Sequence, residues 1–253
     1  MRDPRSLLLT GASSGIGEAL ALAYAGPSMS LALGGRDAVR LAAVGAACAG
    51  KGARVRTDVV DIADRESVAR WIDAVDAAQP LDLVIANAGI GGGTDEGHED
   101  EQQTRGIFAV NLDGVLNTVL PLIPRFVQRR HGQIALMSSL ASFRGFPGAP
   151  TYCGSKAAVR VWGEGLRGDL APDGVEVSVI CPGFVVSRMT AENKFPMPFL
   201  MTAERAAGIV KRGLAANRGR IAFPWPMSVA TWFLAGLPPT LTDALLAGFP
   251  RKK

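Results

Sequence analysis

A chain of 253 residues with 48% hydrophobic content can bury a sizeable core, and it fits one large α/β domain as readily as two small ones. Its formal charge of +4 comes from scattered Lys and Arg, clustered tightly only at Arg129-Arg130 and Arg251-Lys252-Lys253, which argues against a nucleic-acid binder. Three cysteines without paired spacing and two distant histidines argue against a disulfide framework and a metal site, and fit a reducing, cytoplasmic setting.

The elements follow in a regular order. "SLLLT" (6–10) reads as a short buried strand, then a glycine-rich turn, then a helix over "IGEALALAYA" (16–25). A second strand is predicted at 28–35 and a second helix at 37–50. "ARVRTDVV" forms a third strand, and "DRESVARWIDAVDAA" a helix with an apolar face at Val68, Trp71, Ile72 and Val75. "LDLVIANAG" (81–89) is a fourth strand, and 99–130 is mostly helical with a bend near Pro121 and Pro124. "GQIALMSS" (132–139), the helix "SKAAVRVWGEGLRGDLA", "VEVSVICPG" (175–183), the helix "AERAAGIVKRGLAA" and "RIAFP" complete a set of seven strands. Strands that are apolar throughout and alternate with helices predict a doubly wound parallel sheet covered on both faces. No composition break divides the chain before residue 220, so a single α/β domain is expected. The start carries no signal peptide, and no stretch reads as the roughly 18 apolar residues of a membrane span.

Two motifs carry chemistry. "TGASSGIG", Thr10 to Gly17, lies between the first strand and first helix. There Gly11 allows a tight turn, Gly15 a close backbone approach and Gly17 close helix–strand packing. The N–H groups at the helix start offer an anion site for a pyrophosphate. The spacing is G-x-x-x-G-x-G, not G-x-G-x-x-G, and a purely structural turn reads as well on this motif alone. In "TYCGSK", Tyr152 and Lys156 stand four residues apart, which on a helix brings an ammonium near a phenol. A cation favours the ionised phenol and makes it usable for proton transfer. A surface lysine beside a half-buried tyrosine is the plain alternative.

"TGASSGIG", "NAG" at 87–89, "NLDG" at 111–114, "SS" at 138–139, "YCGSK" at 152–156 and "PG" at 182–183 occur in one order. In that order they resemble the classical short-chain dehydrogenase/reductases, over about residues 6 to 190. The resemblance implies one domain over 1–253, with a cofactor-binding and catalytic core at 1–190 and a substrate lid and apolar end at 190–253. It implies that Tyr152 is the general acid/base, that Lys156 lowers its pKa and holds the nicotinamide ribose, and that Ser139 bonds the substrate oxygen. Asn111 would keep a water against Lys156. Gly11, Ser13, Ser14, Gly15, Ile16 and Gly17 would cradle the cofactor, and Asn87, Ala88 and Gly89 would line its ribose. Pro182, Gly183 and Val185 would meet the nicotinamide. The family often has two asparagines before "AG", and Ala86 replaces the first here. Asp58 resembles the aspartate that accepts from the adenine amino group, with Val59 supplying a backbone contact, while Asp61 caps the following helix.

The second strand bears on the cofactor. In "LALGGRD", Gly35 stands where an acid would bind a ribose 2′-OH, and Arg36 suits a 2′-phosphate, which favours NADP(H) over NAD(H). Asp37 and Ser14 argue the other way. The implied activity is hydride transfer between the cofactor and a largely apolar carbonyl or secondary alcohol, with Phe184, Val186, Met189 and "AENKFPMPFLM" (191–201) around the substrate. The alternative is a nucleotide-binding regulatory or structural protein without turnover. The resemblance also implies a homodimer or homotetramer formed through the helices near 100–130 and 155–170. The end, with Trp225, Trp232, Phe233, Leu234 and Leu237 among prolines, would cover the cleft or pack on a second subunit, and membrane contact is the less favoured reading.

Overall fold

The protein is seen here as a computed structural model that describes residues 3–92, 98–193 and 195–246. Seven strands form one sheet: β1 (Ser6–Thr10), β2 (Ser30–Gly35), β3 (Arg54–Val59), β4 (Leu83–Ala86), β5 (Gly132–Met137), β6 (Val175–Pro182) and β7 (Arg220–Phe223). Their order is β3-β2-β1-β4-β5-β6-β7, and every neighbouring pair is parallel. Successive side chains of a strand point to opposite faces, and β1 shows why it must be apolar throughout. Leu7 and Leu9 enter one core layer, Leu8 enters the other, and all three are fully buried.

The first layer is closed by α1 (Gly15–Tyr24), α2 (Ala38–Ala49) and α9 (Ala203–Ala215). The second is closed by α3 (Arg65–Ala78), α5 (Gly114–Val119), α6 (Ile123–Arg129) and α7 (Pro150–Leu170). Helix α4 (Glu101–Phe108) leads through a π-helical turn, Ala109–Asp113, into α5, and Pro124 stands in the first turn of α6. The short α8 (Arg188–Ala191) and the C-terminal α10 (Trp225–Ala235) and α11 (Pro239–Leu246) complete the described chain. The strand order reverses between β1 and β4, the place where a doubly wound sheet opens a crevice at its carboxyl edge.

The doubly wound reading holds, with three local corrections. β3 is not buried on both sides: it is the edge strand, and Arg54, Arg56, Thr57 and Asp58 keep it polar. Helix α7 begins at Pro150, five residues before the predicted start, because proline is well placed in a first helical turn and puts Tyr152 inside the helix. Within the helical run Glu101–Arg129, a stretch of 18 residues reaches a mean hydropathy of 1.5, enough by length and composition for a membrane span, contrary to the reading of the sequence. Scattered polar residues such as Asn111 and Asp113 hide that stretch from a count of consecutive apolar residues, and its buried face, with Val115, Val119 and Phe126, packs into the second core layer.

One polar cluster fastens that layer. Asp76 on α3 is only 8% exposed and accepts from Leu81 N at 2.9 Å and from Arg129 Nη1 at 3.0 Å, with Arg125 Nη1 at 3.3 Å. Burial pushes its carboxyl up, but the Leu81 N–H and the two guanidiniums outweigh this and hold it below the usual range. A depressed carboxyl adds stability above its unfolded pKa of about 3.9 and loses it as pH falls through the lower folded value. Asp76→Asn should therefore cost about 1.5–3 kcal/mol at pH 7 in urea unfolding, since Arg129 loses its carboxylate partner and Arg125 keeps only Asp73. The deficit should shrink below about pH 4. A deficit that does not change with pH would assign the loss to packing instead.

Candidate active site

The glycine turn after β1 is shaped by how little space it leaves. Gly11 and Gly15 take positive φ of 68° and 58°, where side chains strain the backbone. A Cβ on Gly17 would sit 2.1 Å from the Gly11 carbonyl oxygen, so α1 can pass this close only without a side chain there. Asn87 ties the end of β4 to the turn, its Nδ2 donating to Thr10 O at 3.0 Å and Gly11 O at 3.2 Å. The N–H groups of Asn87 and Ala88 both donate to Thr10 Oγ1. Ser14 sits at the N-cap of α1, but its side chain makes no capping bond, so it does not compete for the first N–H groups. Ile16 packs on the core, and Ser13 lies beside Gly35 at the end of β2, 3.4 Å from where a Cβ there would sit. A tight glycine cradle at a helix start fits a pyrophosphate.

The proton-handling residues lie at the carboxyl ends of β4, β5 and β6. Lys156 is 3% exposed, donates from Nζ to Met137 O at 2.9 Å, and stands 6.0 Å from the Tyr152 ring centroid. Burial pulls the Lys156 ammonium down to about 8. Burial pushes the Tyr152 phenol up, and the Ser139 hydroxyl, bonded to it, pulls the other way. Met137 O holds the Lys156 ammonium, and the Ser139 hydroxyl is the group bonded to the phenol. Ser139 Oγ also accepts from Ala141 N at 3.1 Å, so it caps the turn Leu140–Ser142 as well as facing the phenol.

Asn111, on the π-helical turn, is fully buried and its amide is engaged on all sides. Oδ1 accepts from Ile90 N at 2.8 Å, and Nδ2 donates to Ile90 O at 3.0 Å and Ser155 Oγ at 3.1 Å. On the side chain, only the second lone pair of Oδ1 is left for the water expected on Asn111. A Cβ at Gly89 would lie 3.1 Å from both Asn111 Oδ1 and Lys156 Nζ, so bare backbone is what fits between them.

The other end of the crevice is charged. Arg36 is exposed at the end of β2. Asp37 is committed elsewhere: it caps α2, accepting from Arg40 N at 2.9 Å, and pairs with Arg40 Nη1 at 2.7 Å. The Arg40 N–H bond is the main force that holds its carboxyl below the usual range. Asp58, expected to meet adenine, already accepts from Arg56 Nε at 2.8 Å, Arg56 Nη2 at 3.0 Å and Trp71 Nε1 at 2.9 Å. That leaves its carboxylate room for little more than one further donor. Val59 beside it is 64% exposed. The cap of α3 is Asp64, not Asp61, which closes a local turn on Ala63 N.

Past β6, Gly183 N donates to Phe223 O at 2.7 Å, and Pro182 O faces Ser139 Oγ at 3.5 Å. The Val185 side chain is buried in the core, so it can meet a ligand only through its main chain. Phe184 meets Phe195 edge to face at 6.0 Å. Three further residues that were not predicted as site residues hold the site. Ser138 Oγ donates to Lys156 O at 2.7 Å, Met137 supplies the lysine's acceptor, and Glu99 Oε2 accepts from Thr151 N at 2.9 Å at the start of α7. Among these, only Ser138 lay inside a quoted motif.

Gly17→Ala would drive a methyl group into the Gly11 carbonyl. The variant should lose nicotinamide-cofactor binding, read by quenching of tryptophan fluorescence, by at least about 100-fold, equivalent to about 2.7 kcal/mol. Binding unchanged from wild type would place the cofactor elsewhere.

The short chain dehydrogenase family profile matches residues 5–196. An oxidoreductase of Myxococcus xanthus is 39% identical over 241 residues, 95% of each chain. A short chain dehydrogenase/reductase from Burkholderia phymatum, solved in complex with NAD, is 25% identical with a TM-score of 0.83 over 99% of this chain and 98% of that one. A short-chain dehydrogenase from Sphingobium yanoikuyae, solved in complex with NADPH, shares the fold at 23% identity, with a TM-score of 0.82 over 98% and 97% of the two chains. By sequence over most of its length and by the order of its seven strands, this chain belongs to the short-chain dehydrogenase family of oxidoreductases.

Proposed function

We propose that the protein is an NADP(H)-preferring reductase of a largely apolar carbonyl compound, or in reverse an oxidant of the matching secondary alcohol, with Tyr152 as the proton-transferring group. The observation that carries the reading is the meeting of Tyr152, Lys156 and Ser139 at the carboxyl edge of the sheet, beside the glycine turn. A bound nicotinamide cofactor supplies or accepts the hydride. The chain's own groups handle the charge: hydride addition to a carbonyl leaves an alkoxide, and O–H donors at Tyr152 and Ser139 stabilise it. A phenol held above its ordinary range keeps its proton at neutral pH, which suits donation during reduction. A nucleotide-binding protein without turnover would have no use for a buried lysine and phenol placed together.

The preference for NADP(H) rests on Arg36 at the end of β2 with Asp37 turned to its helix cap. Phe184, Phe195, Val186, Phe199 and Leu200 supply the apolar side of the substrate region, the last three 51%, 57% and 44% exposed. Association as a homodimer or homotetramer is consistent with Phe108, Leu120 and Val161, which α4, the turn after α5 and α7 leave exposed.

Tyr152→Phe should keep the melting temperature and cofactor affinity but lower kcat by at least about 10²-fold, the lower bound of general acid–base help. Near wild-type reduction of any accepted carbonyl would overturn the assignment. Arg36→Ala should weaken NADPH binding by roughly 1.5–3 kcal/mol and leave NADH nearly unchanged, as titration of both cofactors would show. Equal wild-type affinities for the two would contradict the preference.

A further inference from the structure

One apolar surface of the described chain is used neither by the glycine turn nor by Tyr152. On α10, Trp225, Val229, Trp232 and Phe233 recur at i, i+4, i+7 and i+8, a single stripe along one face. They are 76%, 57%, 65% and 62% exposed. The opposite face does the packing: Thr231 is buried, and Met227 packs against the cluster of Leu140, Val179 and Cys181. The aromatic segment, expected to cover the cleft or pack on a second subunit, thus forms a helix beside the cleft and turns its aromatic stripe outward.

The chemistry around this stripe says what it fits. No acidic or basic residue occurs from Ile221 to Thr242, so the helix itself carries no charge by which a protein partner would be selected. Its exposed aromatics amount to about 400–500 Å², at roughly 150–250 Å² for each whole side chain. A standard protein interface needs about 800 Å² per partner. Two tryptophans and a phenylalanine on an uncharged helix are the composition that settles at the boundary of headgroups and acyl chains. After Arg220 the sequence contains one acid, Asp243, and ends in Arg251-Lys252-Lys253, the sign of charge that anionic headgroups attract.

We propose that the outer face of α10 docks this protein on an anionic lipid bilayer. The helix stands at the rim of the site: Pro224 Cδ and Met227 Sδ lie 3.0 Å and 3.3 Å from where a Cβ on Gly183 would be, and Leu140 follows Ser139 directly. Docking therefore sets Gly183 one helix diameter, roughly 10–12 Å, from the membrane surface. On the oxidoreductase reading, on which this consequence rests, the substrate is a carbonyl or alcohol dissolved in the lipid.

The test is co-sedimentation of the full chain, without substrate, with phosphatidylcholine vesicles that contain or lack phosphatidylglycerol. The wild type should bind the anionic vesicles, more weakly as salt rises, with a blue shift of tryptophan emission. The triple variant Trp225→Ser, Trp232→Ser, Phe233→Ser should lose at least about tenfold in partitioning while still binding cofactor. Arg251→Ala, Lys252→Ala, Lys253→Ala should weaken the anionic component alone, and this pair of variants keeps the test open if the first folds poorly. Absence of wild-type binding, binding unaltered in both variants, or a dimer that the triple variant dissociates without any vesicle binding would overturn the proposal. Each of these outcomes leaves the catalytic assignment untouched, because none of them reads turnover.

Discussion

An ammonium taken out of water has to be held by something, and the carboxyl edge of this sheet is organised around that need. Lys156 is 3% exposed, and its fall from 10.5 to about 8 corresponds to roughly 3 kcal/mol against the charged form. Met137 O at the end of β5 accepts a hydrogen bond from it. Ser138, one residue on, binds the lysine's own carbonyl and so fixes α7 to the same strand. Asn111 then locks the π-helical turn to Ser155 on α7 and to Ile90 after β4. Two strand ends, the π-helical turn and α7 are joined by these bonds, and Tyr152 is carried to its place by the same helix.

The opposite wall of the crevice obeys steric rather than electrostatic limits. Gly17 has no room for a Cβ against Gly11 O, and Asn87 fastens that turn to the end of β4. The strand order reverses between the same two strands, so the crevice, the glycine cradle and the lysine are consequences of one topology. Between them, Gly89 leaves bare backbone where any side chain would press on Asn111 and Lys156.

Much of this was legible in the sequence because it is local. The apolar run Leu7–Leu9, the glycine spacing and the interval from Tyr152 to Lys156 are read along the chain, and each depends on neighbours a few residues away. What escaped depends on pairs far apart. Asp76 meets Arg125 and Arg129 across about fifty residues, Asp58 is engaged by Trp71 of another element, and Glu99 reaches Thr151 from a loop. Asn111 was found by its place in a motif, but which of its atoms were free could not be read there. The apolar C-terminal segment was visible as composition, yet hydrophobicity alone would turn Trp225 and Trp232 inward. The packing of Met227 and Thr231 decides the other orientation.

On the proposed reading, Tyr152 gives its proton in a setting kept by the charged Lys156. The pH dependence of kcat/KM for carbonyl reduction tests it most directly, measured through cofactor absorbance in the wild type and in Lys156→Arg. Reduction should be level on the acid side and fall as pH rises past about 8, where the buried ammonium loses its proton. The arginine variant, which stays charged, should move that fall to higher pH. A wild-type profile that stays flat to pH 10, or an identical profile in the variant, would rule out a role for the Lys156 charge in proton transfer.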